Sequence, residues 1–558
     1  MKLPRRQVAV VSVFALALAA CGGGGGGGAA PGAALNESEP NDDVATAELL
    51  AVGQTGHGSV ADGSDADVWA VALTLDEVIT VEVFGSRFDQ AAWSVDPSAP
   101  SATLLDVDGT SELRRQGANA FGWHSEQDTD LYFFRAPAAG TYFLRIEVDN
   151  LHANGGEYLL AVRDTSLVAP LQLELEPAGV SGLNDADTTA ETLAPGTMLA
   201  HFVDDEQDWY SFTIAEPSLV RFTLSAHRNG VFEGDDDVLD PVLALLDSSL
   251  GVLRSNDDAF YLDSAIRTLL TTPGVYFVQV GECCGAGDGG YALEYQLEPL
   301  SSLTETPEIE PNDALGTGQS VGFDELVSAS IVPANDDYYT VACNGGDRLL
   351  LEIYDLGTHQ GASATMDVLV RDGLGTILPS DTGNELRTLR VLLPATGAYE
   401  VRVASNLASD YALRVRRLPG ASVESEPNDA VADAGSFDLG GRSSGSIANA
   451  SDVDLYAFAA VRGVPIVFAC FADDVAPDGY FELNGFGSAL DPVLRVRDSG
   501  GALLAAVQPS LGTALGSNDG LPSLSLAFLP PASGTYYLEV ADEFGNFGTD
   551  FTYVLELR

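Results

Sequence analysis

An acidic, proline-centred phrase occurs three times in the chain and gathers oxygen-bearing side chains at short spacing. It reads NESEPND from Asn36, EIEPND from Glu308 and ESEPND from Glu424. Each copy has two glutamates two residues apart, then a proline, an asparagine and an aspartate. Carboxylate and amide oxygens are hard donors, which suit Ca²⁺ with its roughly 6–8 oxygen ligands. The phrase alone supplies too few ligands, so a second segment must complete the shell.

A second acidic phrase follows and opens a strand-like pattern. An aspartate stands two residues before an aromatic residue, and an apolar residue follows two further on, in the copies DADVWAV, DEQDWYSF, NDDYYTV and DVDLYAF. This period of two predicts a half-buried strand that begins at an acidic turn. The asparagine of the first phrase precedes this aspartate by 24 to 26 residues in four copies. We therefore expect the two segments to meet at one site in each copy.

A third phrase closes each copy, in the forms PAAGTYFLRI, TTPGVYFVQV, PATGAYEVRV and PASGTYYLEV. Each is a Pro/Gly turn that feeds a strand rich in Tyr, Val and Leu. Four ordered copies predict four tandem modules of ordinary domain size. Their many short strands predict an all-β fold of jelly-roll-like β-sandwiches, with a hint of a helical turn only after each EPND phrase. The predicted modules are residues 36–165, 176–299, 305–418 and 422–558.

The first residues predict export and a lipid anchor. Lys2, Arg5 and Arg6 precede an apolar run that is too short to span a bilayer, so residues 1–20 are interpreted as a signal peptide. The sequence LAAC that ends at Cys21 resembles the lipobox of bacterial lipoproteins, which implies lipidation of Cys21 and an outer-membrane or cell-surface location. The glycine-rich residues 21–35 then predict a flexible tether.

The overall charge narrows the possible partners. The chain has 82 Asp and Glu against 26 Lys and Arg, a formal net charge of −56 at pH 7. Such a surface repels nucleic acid and anionic membranes, so we expect no nucleic-acid partner and contact with a membrane only through the lipid. Solubility explains part of this excess of acids, but it does not explain their placement in repeated phrases.

No constellation of residues predicts catalysis. GRSSG from Gly441 matches the G-x-S-x-G pattern, but we expect a loop that leads into a strand at Ser446, whereas hydrolases need a strand before the motif and a helix after it. The six histidines never form H-E-x-x-H, and there is no C-x-x-C. The chain is therefore predicted not to be an enzyme. Besides Cys21, four cysteines allow three pairings, among which the sequence does not choose: Cys283, Cys284, Cys343 and Cys470.

The three phrases together resemble the bacterial pre-peptidase C-terminal domain, a β-sandwich module related to the collagen-binding domains of secreted collagenases. In those relatives the matching positions bind calcium, which implies metal ligands in modules one, three and four. The implied ligands are Glu37, Glu39, Asn41, Asp42, Asp65 and Asp67; Glu308, Glu310, Asn312, Asp313, Asp336 and Asp337; and Glu424, Glu426, Asn428, Asp429, Asp452 and Asp454.

Module two departs from this pattern. It keeps Asn184 and Asp185, but Val180 and Gly182 stand where the glutamates are expected, although other acids remain near Asp208. In modules one, three and four the alternative is a Pro-Asn-Asp turn whose aspartate caps a short helix, which leaves the paired glutamates unexplained.

We therefore expect a lipid-anchored, calcium-binding surface protein that recognises protein or polysaccharide. The alternatives are an accessory of a secreted peptidase or hydrolase, and a passive spacer.

Overall fold

The computed structural model describes residues 32–557 with gaps. Within that range the structure leaves out residues 76, 86, 89–99, 117–128, 149–154, 165–169, 177–181, 203–205, 227–239, 258–263, 284–288, 357–365, 379–387, 394, 419–420, 473–489, 509–523 and 549–550. The predicted signal peptide, Cys21 and most of the tether lie outside the described residues. In the described part of the chain, no helix has the length and apolar character needed to cross a bilayer.

The described chain is built from strands, with one short 3₁₀ helix at Leu300–Ser302. In module one they are β1 (Leu35–Asn36), β2 (Glu48–Leu49), β3 (Thr55–Val60), β4 (Ala66–Leu73), β5 (Val78–Phe84), β6 (Pro100–Leu105), β7 (Glu112–Gln116), β8 (Thr129–Arg135), β9 (Gly140–Val148) and β10 (Gly156–Asp164). In module two they are β11 (Leu171–Leu173), β12 (Glu191–Thr192), β13 (Gly196–Phe202), β14 (Asp208–Ile214), β15 (Ser218–Ser225), β16 (Pro241–Leu246), β17 (Val252–Asn256), β18 (Ala265–Leu270), β19 (Gly274–Glu282) and β20 (Gly289–Pro299).

Modules three and four repeat this series. In module three the strands are β21 (Thr304–Pro307), β22 (Gln319–Ser320), β23 (Glu325–Ile331), β24 (Asp337–Cys343), β25 (Arg348–Asp355), β26 (Met366–Arg371), β27 (Ile377–Leu378), β28 (Thr388–Leu392), β29 (Gly397–Ser405) and β30 (Ser409–Leu418). In module four they are β31 (Ser422–Val423), β32 (Gly435–Ser436), β33 (Arg442–Ser446), β34 (Asp454–Ala460), β35 (Ile466–Phe471), β36 (Pro492–Arg497), β37 (Leu503–Val507), β38 (Leu524–Phe528), β39 (Gly534–Asp542) and β40 (Thr552–Leu557).

Each module consists of two five-stranded sheets with one repeated topology. In module one the first sheet has the order β1-β3-β10-β5-β8 and the second has the order β2-β4-β9-β6-β7, and the other modules repeat both orders. The short leading strand of each sheet pairs in parallel with its neighbour, while the remaining pairs are antiparallel. The predicted all-β fold of tandem, jelly-roll-like β-sandwiches is confirmed.

The core of each module lies between its two sheets. Alternate residues of β4 point inward, so Trp69, Val71 and Leu73 pack in the core of module one with Tyr142 of β9. The equivalent strands β14, β24 and β34 supply Tyr210, Tyr339 and Tyr456 to the other three cores. The aspartate-x-aromatic phrase thus marks the start of a buried strand, as its period of two predicts.

Two local expectations differ from the structure. Most of the GRSSG segment is not a loop, because Arg442–Ser446 forms β33 and pairs with β40. The segment after the first EPND phrase forms a hydrogen-bonded turn in place of a helical one, with the Thr46 N–H donating to the Asp43 carbonyl at 3.0 Å. Cys343 and Cys470 lie in the separate cores of modules three and four.

Candidate metal sites

Backbone hydrogen bonds hold each acidic phrase against the start of a buried strand. In module one the Val68 N–H donates to the Asn41 carbonyl at 3.0 Å, and in module three the Tyr338 N–H donates to Asn312 at 3.0 Å. The same bond joins Leu455 to Asn428 at 3.2 Å. The two predicted segments therefore meet at the edge of each sandwich. The Glu–Pro bond within the phrase is cis in modules one, three and four.

The site of module three shows the arrangement most clearly. Glu308 accepts hydrogen bonds from the Asn312 amide at 2.8 Å and the Tyr339 hydroxyl at 2.9 Å, while Glu310 accepts from the Asn312 backbone N–H at 2.9 Å. Oxygens of Glu308, Glu310 and Asp337 lie within 4.8 Å of one another. Asn312 and Asp337 are fully buried, yet Oδ1 of each has no hydrogen-bond donor.

Module one repeats this cluster with Glu37, Glu39 and Asp67 within 4.8 Å. The Asn41 Oδ1 atom faces acceptors, since it lies 3.2 Å from Glu39 Oε2 and 3.2 Å from Asp67 Oδ1. A flipped amide would satisfy these oxygens with its own N–H groups, whereas a cation would satisfy them in the present orientation. An adjoining cluster consists of Glu39, Asp42 and Asp65, whose oxygens also lie within 4.8 Å of one another. All six predicted residues of this module therefore come together.

In module four Glu424, Glu426 and Asp454 lie within 4.8 Å of one another, and the buried Oδ1 atoms of Asn428 and Asp454 have no donor. The Val453 N–H donates to Asp429 at 3.1 Å. Asp452, which is 6% exposed, accepts from the Ala448 N–H at 2.5 Å, and its other oxygen has no donor. The structure therefore brings the predicted set of module four to one edge.

One predicted residue of module three, Asp336, forms a different contact. Asp336 accepts a hydrogen bond from Arg402 Nε at 2.6 Å, an ion pair in which both side chains are about a quarter exposed. Asn335 occupies the position that Asp65 and Asp452 hold in their modules, two residues before the buried aspartate. Asp313 is exposed.

Module two has a site that the sequence analysis missed. Its glutamates are Glu174 and Glu176 of the segment ELEP, and residues 178–183 separate that segment from Asn184. Glu174 accepts from the Asn184 amide at 2.8 Å and from the Tyr210 hydroxyl at 2.7 Å, as Glu308 does in module three. The Asn184 Oδ1 atom is buried without a donor, and so is Glu176 Oε1.

The remaining acids of module two complete a cluster. Oxygens of Glu176, Asp185 and Glu206 lie within 4.8 Å of one another. Asp208 is 1% exposed and accepts from the Tyr291 hydroxyl at 2.6 Å. Val180 lies outside the described residues, and Gly182 is not part of the cluster.

A buried aromatic pair supports each buried aspartate. In module three the Tyr411 hydroxyl donates to Asp337 at 2.6 Å and lies 2.6 Å from the Tyr339 hydroxyl. In module one Trp69 Nε1 donates to the Tyr158 hydroxyl at 2.8 Å, and Tyr158 donates to Asp67 at 2.8 Å. These tyrosines orient one carboxylate oxygen and leave the other facing the cluster.

Burial raises the pKa of each of these aspartates. Loss of hydration is the largest cause in all four, and nearby carboxylates add to it. The pKa is raised to about 9 for Asp67, about 8 for Asp208, about 7 for Asp337 and about 9 for Asp454. Without a cation, ionisation of each aspartate thus carries a free-energy cost, which a bound cation would offset.

The donor set fits calcium. Every site offers carboxylate and amide oxygens, and none of the five clusters named above includes a histidine or a cysteine. Oxygen-only ligands favour Ca²⁺, Mg²⁺ or Mn²⁺ over zinc or copper. A hydrogen-bonded turn does not explain the buried oxygens without donors, because it would leave them unsatisfied.

No family model matches the chain. A probable subtilase-type serine protease of Deinococcus radiodurans is 29% identical over an alignment of 194 residues, and the match covers 31% of this chain and 26% of that protein. The chain therefore spans about a quarter of the length of this relative.

Several solved structures are similar in fold. The pre-peptidase C-terminal domain of a Bacillus anthracis collagenase matches with 18% identity over 23% of this chain and 100% of that domain, at a TM-score of 0.17. This is the type of domain that the three phrases resemble. Tandem CBM51 modules of a family 98 glycoside hydrolase from Streptococcus pneumoniae match with 11% identity over 39% of this chain and 82% of that chain, at a TM-score of 0.15. Both likenesses concern the fold and carry no conclusion about function.

Proposed function

We propose that the chain is a calcium-binding, multi-module recognition protein without catalytic activity. The observation that supports this most strongly is the set of buried oxygens without donors, Oδ1 of Asn312 and of Asp337 in module three, which face a carboxylate cluster. The equivalent oxygens recur in module four, and the Asn184 oxygen recurs in module two. A calcium ion at each site would join the leading segment of a module to its first buried strand.

Calcium would act through rigidity. The acidic phrase lies directly after the strand that leads each module, so a metal bound there would fix the junction with the preceding chain. Glu308, for example, follows β21, which pairs with β23 of the same module. The rigid array would then present protein- or polysaccharide-binding surfaces at the cell surface, held there by lipid on Cys21.

The experiment is a comparison of melting curves for the segment Gly22 to Arg558, recorded with calcium and with chelator. Binding to the folded state alone requires the melting temperature to rise with calcium concentration. A screen of matrix proteins and glycans follows under both conditions. Equal melting temperatures at millimolar calcium would remove the proposal, and ligand binding that survives chelation would remove its link to rigidity.

A second candidate function is assistance to a secreted peptidase. The likeness to a subtilase-type protease of Deinococcus radiodurans over 31% of this chain favours it. Co-purification of a peptidase with the chain, and a change in the activity of that peptidase when the chain is added, would support this reading. A peptidase whose activity is unaffected would count against it.

A further inference from the structure

Part of the outer face of the first sheet is buried in each module, although alternation places this face away from the module core. In β38, Leu524, Leu526 and Phe528 pack in the core of module four, so Ser525 and Ala527 point outward. These two residues are nevertheless only 8% and 0% exposed. Strands that are covered on both faces require a partner on the outer side.

Module three covers this face in module two. Leu219 and Leu269 of module two form one apolar cluster with Leu326, Tyr354 and Ala412 of module three. All five side chains point away from their own cores and are buried.

Two ion pairs border this contact. Arg267 Nη1 of module two donates to Glu352 of module three at 2.9 Å, and both side chains are at most 7% exposed. Arg414 of module three donates to both oxygens of Glu298 in module two, at 2.6 and 3.1 Å. The paired charges and the apolar cluster together fix the alignment of modules two and three.

Module one covers the same face of module four. Phe84, Leu159 and Ala161 of module one form a cluster with Ala527 of module four. The three side chains from module one also point away from their own core, because neighbours such as Leu160 point into it.

Backbone contacts reinforce this second pairing. The strand β38 is the edge of its sheet, and the Ala527 N–H donates to the Arg87 carbonyl of module one at 2.8 Å. An edge strand offers unpaired N–H groups, and module one uses one of them. The Ala34 N–H also donates to the Gly463 carbonyl of module four at 2.8 Å.

We infer that the outer face of the first sheet is a docking surface for another module, and that the chain closes on itself by docking module one on module four. Modules two and three are neighbours in sequence, whereas modules one and four are the two ends of the array. Their contact therefore turns a string of modules into a closed body. Surfaces for outside ligands are then the second sheets, the loops and the uncovered part of the first sheets. This inference does not depend on calcium.

The experiment measures the radius of gyration of the segment Gly22 to Arg558 by small-angle X-ray scattering, with its mass determined by light scattering. Paired modules predict a monomer with a radius of gyration below about 30 Å, whereas an extended string of four such domains has about 40 Å. A value near 40 Å, or a dimer formed by docking between two chains, would overturn the inference.

Two variants address the contact from its opposite sides. Ala527→Arg and Leu159→Arg each place a charge in the apolar cluster and should raise the radius by about a fifth or more. Leu503→Arg is the matched control, since Leu503 is 53% exposed in module four and should leave the radius unchanged. Circular dichroism verifies folding. Unchanged radii in folded Ala527→Arg and Leu159→Arg would refute the docking surface, and the wild-type radius decides the matter if either variant does not fold.

Discussion

Asp337→Asn should separate the cost of the buried charge in module three from the benefit of a metal. The substitution keeps the shape of the side chain and an acceptor for the Tyr411 hydroxyl, and it removes one negative charge. Asp337 lies within 4.8 Å of Glu308 and Glu310. Two charges at that distance repel by about 1 kcal/mol when fully screened and by about 3 kcal/mol at an effective dielectric constant near 20. In chelator at pH 8, the variant should therefore be more stable than wild type by about 1 to 3 kcal/mol.

Calcium should stabilise wild type more than it stabilises the variant. If the site binds with a Kd of about 10⁻⁴ M, as in many extracellular modules, 10 mM calcium adds about 2.7 kcal/mol to wild type. Module three runs from Thr304 to Leu418, so each kcal/mol corresponds to about 4 °C, and the increment to about 11 °C. Asp337→Asn should lose most of that rise.

The assay is differential scanning calorimetry of wild type and variant with 10 mM calcium and with chelator. Asp367→Asn in β26 of the same module is the matched control and should keep the full increment. The reasoning is refuted if Asp337→Asn lowers stability in chelator, or if it retains the calcium-dependent rise of wild type.

Three further predictions concern module two and its junction with module three. Glu174→Gln should reduce the number of calcium ions bound by one in calorimetric titration, whereas Glu216→Gln should not; an unchanged count would remove the site from module two. Arg267→Ala removes the arginine that pairs most closely with the buried Glu352 and should cost up to about 3–5 kcal/mol in chemical denaturation, since Arg416 at 3.9 Å replaces it only in part. The double variant Arg267→Met with Glu352→Met should restore most of that loss, and a double variant less stable than Arg267→Ala would contradict this. Burial opposes ionisation of Glu352, but four arginines outweigh this effect and lower its pKa. The contribution of ionised Glu352 to the free energy of unfolding is therefore fully present above about pH 4.5 and is lost as the pH falls through the lowered pKa. Melting curves in chelator from pH 7 to pH 3 should therefore lose less stability in Glu352→Gln than in wild type, and equal losses would exclude this role.

Much of the fold follows from local pattern. The aspartate-x-aromatic phrase marks the starts of β14, β24 and β34 because alternation in a half-buried strand leaves a direct trace in the sequence. The Pro/Gly turn does the same for β9 and its equivalents, all of which begin at the glycine of the third phrase. Because both phrases recur in the same order, the sequence also predicts the number of modules.

The parts of the site that escaped prediction depend on contacts between distant segments. Glu174 and Glu176 were missed because residues 178–183 interrupt the phrase, although ELEP itself was a visible signal. The sequence predicts Asp336 as a ligand because it is an aspartate beside Asp337, and only its ion pair with Arg402 shows that it points elsewhere. A tyrosine such as Tyr411 in the last strand of a module was also overlooked, since nothing local ties it to a carboxylate across the sandwich.

The docking faces produce a weaker signal in the sequence. A strand such as β25, with LLLEIY at residues 349–354, is apolar on both faces, which indicates burial on both. The sequence does not specify which module provides the cover, because the partner of module one lies at the far end of the chain.

Calorimetric titration of the segment Gly22 to Arg558 with calcium tests the central claim most directly. The geometry predicts binding to about four sites, one in each module, with a loss of one site for each of the variants Asp67→Asn, Asp208→Asn, Asp337→Asn and Asp454→Asn. Absence of heat at millimolar calcium, together with unchanged melting, would mean that the acidic phrase forms a turn and that its buried oxygens do not hold a metal.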